Sequence, residues 1–400
     1  MEYKHHTKCR CCNSEKLQSY LDLGDMPLAN NLELTKDDAI NAKRYPLKVM
    51  LCEDCSLSQL SVVVDPDLLF SNYFYRSSMS QGYKDHCRQM AIDLKEKYGF
   101  NDESFIIDIA GNDGALLHEF EKVIKPFKSL NVDPAKNLVK ANEELGVRQY
   151  SVFWGMDAAK HLERTFFPKA DLITATNVFA HVDDIKSFLE AAKYALKPEG
   201  VIVLEFPYLI DFIEKGEFDT VYFEHLSYLS VSPLELLTFD CGLHISAITR
   251  HTIHGGSIRL EIKHGEKIGF TDESLSEFFV DYYSYSNKVK DCIASFKKGI
   301  SELEGKVACF AASAKGNTLL NTVGESDKIE YIVDETPEKI GKFSPGTGLE
   351  IVPLVHLLAF PVDYLIILSW NFAEEIIAKC KAAGYKGKFI TPIPTWQIVE

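Results

Sequence analysis

Ile106-Ile-Asp-Ile-Ala-Gly-Asn-Asp-Gly-Ala-Leu-Leu117 decides the fold. Ile106 to Ile109 reads as a buried strand, β-branched and apolar except for Asp108. Gly111 and Gly114 permit a tight turn, and Ala115 to Phe120 reads as the start of a helix packed back on the strand. In a strand, glycine turn and helix start, backbone N–H groups face a ligand. The spacing is not Gly-x-Gly-x-x-Gly, so the dinucleotide fingerprint is missing. The next strand, Ser129-Leu-Asn-Val-Asp133, ends in an acid 25 positions after Asp108. A carboxylate there can hold both hydroxyls of a ribose.

The same alternation continues outward. Asp171 to Asn177 reads as a strand followed by Phe-Ala-His181, and Val182 to Glu190 as a helix with acids in its first turn. Leu196-Lys-Pro-Glu-Gly200 reads as a turn and Val201 to Glu205 as a further buried strand. Strands alternating with helices imply a mostly parallel sheet with ligands at the strands' carboxyl ends. Asp113, Asp133, Asn177, His181 and Glu205 all fall at or just past such ends. Beyond them, Tyr222, Glu224 and His225 place a phenol, a carboxylate and an imidazole in one short segment. An imidazole is suited to proton removal near neutral pH, and a neighbouring carboxylate orients it. His254-Gly-Gly-Ser-Ile-Arg259 is a glycine-lined approach for a ligand.

Upstream, Cys9-x2-Cys12 and Cys52-x2-Cys55 form two knuckles whose four thiolates suit tetrahedral zinc. Leu21 to Asn30 and Tyr45 to Leu51 supply small strands between them. No fifth polar partner accompanies the cysteines, so the site reads as closed and structural, with Cys11 a spare thiol. An aromatic-rich connection containing Tyr73 and Tyr75 leads to a helix over Tyr83 to Tyr98. Downstream, Thr271 to Glu304 reads as one amphipathic helix with Phe278, Tyr282, Val289, Ile293, Phe296, Ile300 and Leu303 on its core stripe. A second strand, glycine turn and helix follows at Lys306 to Leu320, with strands at Tyr331–Asp334 and Tyr364–Ser369. The helix start after Ser313 can cradle a diphosphate, with Lys315 adding charge.

The 400 residues carry a formal charge of −15, which argues against nucleic acid as a partner. No apolar run long enough for a membrane span and no signal peptide is evident. The ten cysteines then read as thiols or metal ligands in a cytoplasmic protein.

The order of the four zinc-type cysteines, Tyr75-Arg-Ser-Ser78, Gly111-Asn-Asp-Gly114, Asn177-Val-Phe-Ala-His181, Glu205-Phe-Pro207, Tyr222-Phe-Glu-His225 and His254-Gly-Gly-Ser-Ile-Arg259 resembles the S-adenosylmethionine-dependent deoxysugar C-methyltransferase family. Ala314-Lys-Gly-Asn-Thr-Leu-Leu320, Ser369-Trp-Asn-Phe372 and Pro392-Ile-Pro394 extend it over nearly the whole chain. Two departures stand out: Ala110 where the family usually has glycine or another small residue, and Asp133-Pro where Glu-Pro is usual. The resemblance implies a zinc-binding domain (1–65), a Rossmann-like methyltransferase domain (66–270) and a C-terminal α/β domain that helps hold a nucleotide sugar (271–400). It implies methylation at carbon 3 of a dTDP- or GDP-linked 4-keto-6-deoxyhexose by a monomer or weak homodimer.

On that reading S-adenosylmethionine meets Asp108, Gly111, Asn112, Asp113, Asp133, Pro134, Asn177 and His181. His225 is the base, Glu224 its orienter and Tyr222 a hydroxyl for the developing oxyanion, while His181 and Tyr75 position the sugar. Ser77, Glu205, Gly255, Ser257, Arg259, Ser313, Lys315, Asn317, Asp334 and Lys342 complete the substrate side. No metal is needed in the chemistry, because the ketone stabilises the charge. An O-methyltransferase acting on a similar sugar and a non-catalytic zinc-containing nucleotide-sugar binder are the alternatives.

Overall fold

A computed structural model describes residues 2–70, 78, 80–124, 128–165, 167–266, 269, 271–277 and 280–399, apart from the side chains of Asp67, Phe70 and His254. Tyr73, Tyr75, Ser77 and Phe278 therefore lie outside the described residues.

The central sheet has seven strands. In chain order they are β1 (Phe105–Ile109), β2 (Lys128–Val132), β3 (Gln149–Tyr150), β4 (Ala170–Thr176), β5 (Leu196–Pro207), β6 (Leu243–His251) and β7 (Ser257–His264). Their spatial order is β3-β2-β1-β4-β5-β7-β6. The first five are parallel, and β7 runs antiparallel between β5 and β6. Every residue of β1 is buried, as an inner parallel strand covered on both faces requires. The chain leaves β1 at Ala110, whose positive φ of 50° aims the turn outward before the helix Ala115–Val123.

Two readings are corrected here. Leu196 to Gly200 is not a turn: it belongs to β5, whose pairing with β4 slips between Leu196 and Val201. The extra residues are absorbed in the strand as an irregularity rather than ending it. Thr271 to Glu304 is not one helix either. Helices Asp272–Glu277 and Tyr282–Glu302 replace it, the second opened by Asp281, whose side chain accepts from the Ser284 N–H at 2.9 Å. Val289, Phe296 and Ile300 of the expected stripe are buried.

The N-terminal sheet pairs Leu17–Pro27, Arg44–Cys52 and Ser58–Leu60, and its fourth strand, Ser227–Tyr228, comes from beyond β5. The zinc-type domain and the central domain thus share a sheet. In the C-terminal sheet the order is Ile351–Val352, Ile329–Val333, Val307–Phe310, Tyr364–Ile367, Lys388–Thr391 and Gln397–Val399, parallel except for the last strand. Its carboxyl rim meets the central domain where Trp370 Nε1 donates to Asp219 at 2.8 Å.

Candidate active site

The turn after β1 is wired from β2. Gly111 N–H donates to Asn131 Oδ1 at 3.0 Å, and Asn112 N–H to Asp133 Oδ2 at 2.9 Å. Asp133 Oδ1 accepts from Ala135 N–H at 2.7 Å, across Pro134. Each carboxylate oxygen keeps one lone pair after these bonds. Those two lone pairs match the two hydroxyls of a ribose. Burial raises the proton affinity of Asp133. Asp108 is fully buried, accepts from Thr174 Oγ1 at 2.7 Å, and is pushed up to about 7 by burial. It props the turn from beneath. Asp113 accepts from Ser78 N–H at 3.1 Å, while its buried Oδ1 has no partner among the described residues. An orphaned carboxylate oxygen beside a wired glycine turn fits a ligand carrying hydroxyl and amino groups, as S-adenosylmethionine does.

Across the rim stand two histidines. His181, at the end of the short helix Phe179–His181, lies edge-on to His225 with ring centroids 4.9 Å apart. His225 Nδ1 is 2.8 Å from the Thr220 carbonyl, which can only accept. Nδ1 therefore carries the proton and Nε2 the lone pair. Tyr222 OH, 3.0 Å away, donates to that lone pair. Burial, then the nearby His181, holds His225 well below its ordinary range, and Lys315 pushes the same way. Burial brings His181 down to about 4. Both rings are neutral near pH 7, the state a base requires.

The expected orienter is corrected. Glu224 does not hold the His225 ring; its carboxylate accepts from the Asn30 amide at 2.6 Å. It is buried, and burial pushes it up to about 7. The group that orients His225 is the Thr220 carbonyl. Residues adjacent in sequence along an irregular segment point different ways, so adjacency misassigned the partner.

Glu205 and Arg259 are also corrected as substrate ligands. They sit opposite each other across the β5–β7 pair, and Arg259 Nε donates to Glu205 at 2.8 Å. His86 Nε2 lies 2.6 Å from the other Glu205 oxygen. Burial opposes ionisation of Glu205, but His86 and Arg259 outweigh it and hold the carboxyl below its usual range. Both charges are buried and spent on each other. Ser257 Oγ donates to the Ile253 carbonyl at 3.0 Å. At Gly255, with φ 92°, a Cβ would sit 3.1 Å from Glu217, so the loop is glycine-lined for packing.

The C-terminal rim repeats the β1–β2 wiring. Ala311, at φ 80°, donates to the Val333 carbonyl as Ala110 donates to that of Val132. Asp334 accepts from Ala312 N–H and Thr336 N–H, both at 2.9 Å. Lys339 adds an ion pair to Asp334 at 3.3 Å. Ser313 caps the helix Ala314–Val323, and Lys315 lies 5.8 Å over the Trp370 ring. Asn317 is corrected as a substrate ligand: its amide is buried between the Ala29 carbonyl (2.7 Å) and the Ser344 hydroxyl (2.7 Å). Lys342 is partly buried in the loop after Asp334.

The four knuckle thiols converge. Cys9 and Cys55 sulfurs are 3.4 Å apart, Cys12 and Cys52 3.6 Å, and all four lie within 4.8 Å of one another. Sulfurs about 2.3 Å from one zinc ion stand roughly 3.8 Å from each other in a tetrahedron, so the set fits. The knuckles are matched turns: Asn13 N–H donates to the Cys9 carbonyl and Ser56 N–H to that of Cys52, both at 2.9 Å, with φ of 61° and 62°. Cys11 stays outside the cluster as a free thiol, its Sγ–H donating to the Pro233 carbonyl at 3.2 Å. Asn30, His86 and Thr220 were missed in the sequence, since no local spacing marks a partner brought from another element.

Three family profiles match the chain in succession. They are a zinc-binding domain over residues 9–70, a methyltransferase domain over 107–202 and a C-methyltransferase C-terminal domain over 252–394. The C-methyltransferase NovU of Streptomyces niveus is 29% identical over 409 positions, spanning 98% of this chain and 97% of that protein. Among solved structures, an S-adenosylmethionine-dependent methyltransferase from Clostridium acetobutylicum is 14% identical, with 46% of this chain and 92% of that one covered (TM-score 0.36). The mitomycin 7-O-methyltransferase MmcR is 15% identical, with 47% and 56% covered (TM-score 0.36). Scores that low add nothing to the strand order described above. The chain is an S-adenosylmethionine-dependent methyltransferase with an N-terminal zinc-binding domain. The three profiles in succession, with the likeness to NovU along nearly the whole chain, support a C-methyltransferase family built from those three parts.

Proposed function

We propose that the chain methylates carbon 3 of a nucleotide-linked 4-keto-6-deoxyhexose, dTDP- or GDP-linked, through an enolate. The observation that carries this reading is the tautomer of His225: Nδ1–H fixed on the Thr220 carbonyl, Nε2 basic and facing Tyr222. The carbonyl at carbon 4 acidifies the proton on carbon 3. That carbonyl oxygen takes the Tyr222 hydroxyl as its hydrogen-bond donor, which frees Nε2. His225 Nε2 then accepts the carbon-3 proton, and the C–H electron pair moves into an enolate whose oxygen Tyr222 stabilises. S-adenosylmethionine, when bound against Gly111, Asn112, Asp113 and Asp133, supplies an electrophilic methyl group on sulfonium. His181, packed on His225, and Tyr75 position the sugar. Ser313, Lys315, Asp334 and Lys342 line the side proposed for the nucleotide. A cytoplasmic site of action suits such a substrate, and no described helix is long and apolar enough to cross a membrane.

Solvent deuterium uptake at carbon 3 of the ketosugar, without methyl donor, tests the reading. The wild type should exchange; His225→Asn should lose about two to four orders of magnitude. An O-methyltransferase would show no exchange, and a non-catalytic binder no methyl transfer to any of a panel of ketosugars. Exchange that survives in His225→Asn and vanishes in His181→Asn would reverse the assignment of the base.

A further inference from the structure

The residues inside and just after each zinc knuckle reach the two histidine segments. Within the first knuckle, between Cys9 and Cys12, the Arg10 side chain has no solvent exposure. Its Nε donates to Asp183 at 3.2 Å and its Nη1 to the Leu60 carbonyl at 3.2 Å, while its backbone N–H is held by Gln59 at 2.9 Å. Asp183 lies two residues after His181. Cys11, the other residue inside that knuckle, is bonded to the Pro233 carbonyl. After the second knuckle, Ser58 and Gln59 pair with Tyr228 and Ser227, and Leu60 N–H donates to the Leu226 carbonyl at 3.0 Å. That segment begins one residue after His225. Each knuckle therefore leads to one member of the pair whose rings stand 4.9 Å apart.

We propose that the zinc knuckles form a clamp that sets the His181–His225 juxtaposition, with Arg10 a positioning residue acting through Asp183. The inference rests on the reading of these histidines as the working pair. A fully buried guanidinium is costly unless paired. Its place is consistent with that cost: the zinc-holding turn fixes its backbone, and its charge faces a carboxylate of the other domain. Lys4 and His6 also reach Asp183, at 2.7 and 3.2 Å, but Lys4 lies in the first strand, Tyr3–His5, and His6 just after it, both outside the knuckle, and Lys4 is exposed. They supply charge without the rigid backbone.

The test uses the zinc-loaded full chain with isotope-labelled histidine, the two rings assigned from His181→Asn and His225→Asn. Arg10→Met and Asp183→Asn should each move both ring resonances, and the double variant should move them no further than either single change. Arg10→Lys should restore part of the shift, and Lys4→Met should leave it untouched. Zinc content and S-adenosylmethionine affinity should stay at wild-type values throughout. Methyl transfer in Arg10→Met should fall roughly ten- to a hundredfold in kcat, the scale of a small misplacement. Unmoved resonances in Asp183→Asn, which alters a part-exposed side chain and is expected to fold, overturn the proposal; so does an additive double variant. Should the wild type fail to exchange carbon 3 of any ketosugar, the functional reading fails while the resonances still judge the clamp.

Discussion

At His225, one carbonyl holds the ring. Thr220 fixes the tautomer, and with it which nitrogen is basic, although nothing in Thr220's identity announces this. The sequence made the phenol, acid and imidazole visible together, but not which of them touch, and Glu224 was misassigned for that reason. Its burial has a measurable consequence. With Glu224 pushed up from 4.5 to about 7, the folded chain binds more protons there than the unfolded chain between those values. Its contribution is fully present below about pH 4.5 and is lost as pH rises through 7, a loss of up to about 3 kcal/mol. Glu224→Gln keeps the oxygen that accepts from Asn30 and cannot ionise. Its stability relative to wild type, from denaturant unfolding, should therefore climb between pH 4.5 and 7; a flat difference would mean that the acid is ionised in the fold. His181, depressed to about 4, has the opposite slope: its contribution is lost as pH falls from 6.5 towards 4. On the cofactor side, Asp133→Ala removes the two free lone pairs, and calorimetry should show S-adenosylmethionine affinity down about ten- to a hundredfold. Undiminished affinity would remove Asp133 from the site.

The element that carries most is the turn from β1 into its helix. It was legible because its cause is local: glycine is required where a side chain has no room. A Cβ on Gly111 would lie 2.3 Å from Asp108 Oδ2 and 3.0 Å from Asn131 Oδ1. Asp108 is pinned by Thr174 and Asn131 by its own bonds to the turn, so neither side chain can give way cheaply. Gly111→Ala should cost about 1–3 kcal/mol in unfolding free energy and lose cofactor binding, as an overpacked buried site does. Gly155→Ala, in extended backbone with nothing within 4 Å, is the control that should change neither. Less local features were harder to read. A core stripe continuing past Asp281 looked like one helix, because periodicity does not register a cap. The Glu205–Arg259 pair needed the β5–β7 register, which joins residues 54 positions apart.

For the whole molecule, three domains were readable from their motifs, whereas their interlocking was not. Ser227–Tyr228 is too short to announce itself as a strand, and its partner strand lies before the central domain begins. This interlocking shapes what zinc loss should do. Small zinc fingers owe apparent binding energies of about 10–16 kcal/mol to the metal and unfold without it. Here Leu21, Tyr45, Leu47, Val49, Leu57 and Leu60 of the N-terminal sheet are buried in a hydrophobic core continuous with that of the central domain. Each such side chain is worth about 1.5–3 kcal/mol when fully buried. Collapse should therefore be local, centred on the knuckles and on the segments they hold, rather than global. Cys52 is fully buried at the end of its strand. Cys52→Ser, or chelation of the wild type, should lower metal to well under one zinc per chain and lower the melting temperature. Calorimetry should still show cofactor binding, since the bonds described for the turn at Gly111 to Asp113 come from Asn131, Asp133 and Ser78. Carbon-3 exchange should fall with the metal. A Cys52→Ser protein that keeps its fold and its zinc would rule out the four-cysteine site, and one that loses cofactor binding together with zinc would show the metal holding the central domain as a whole.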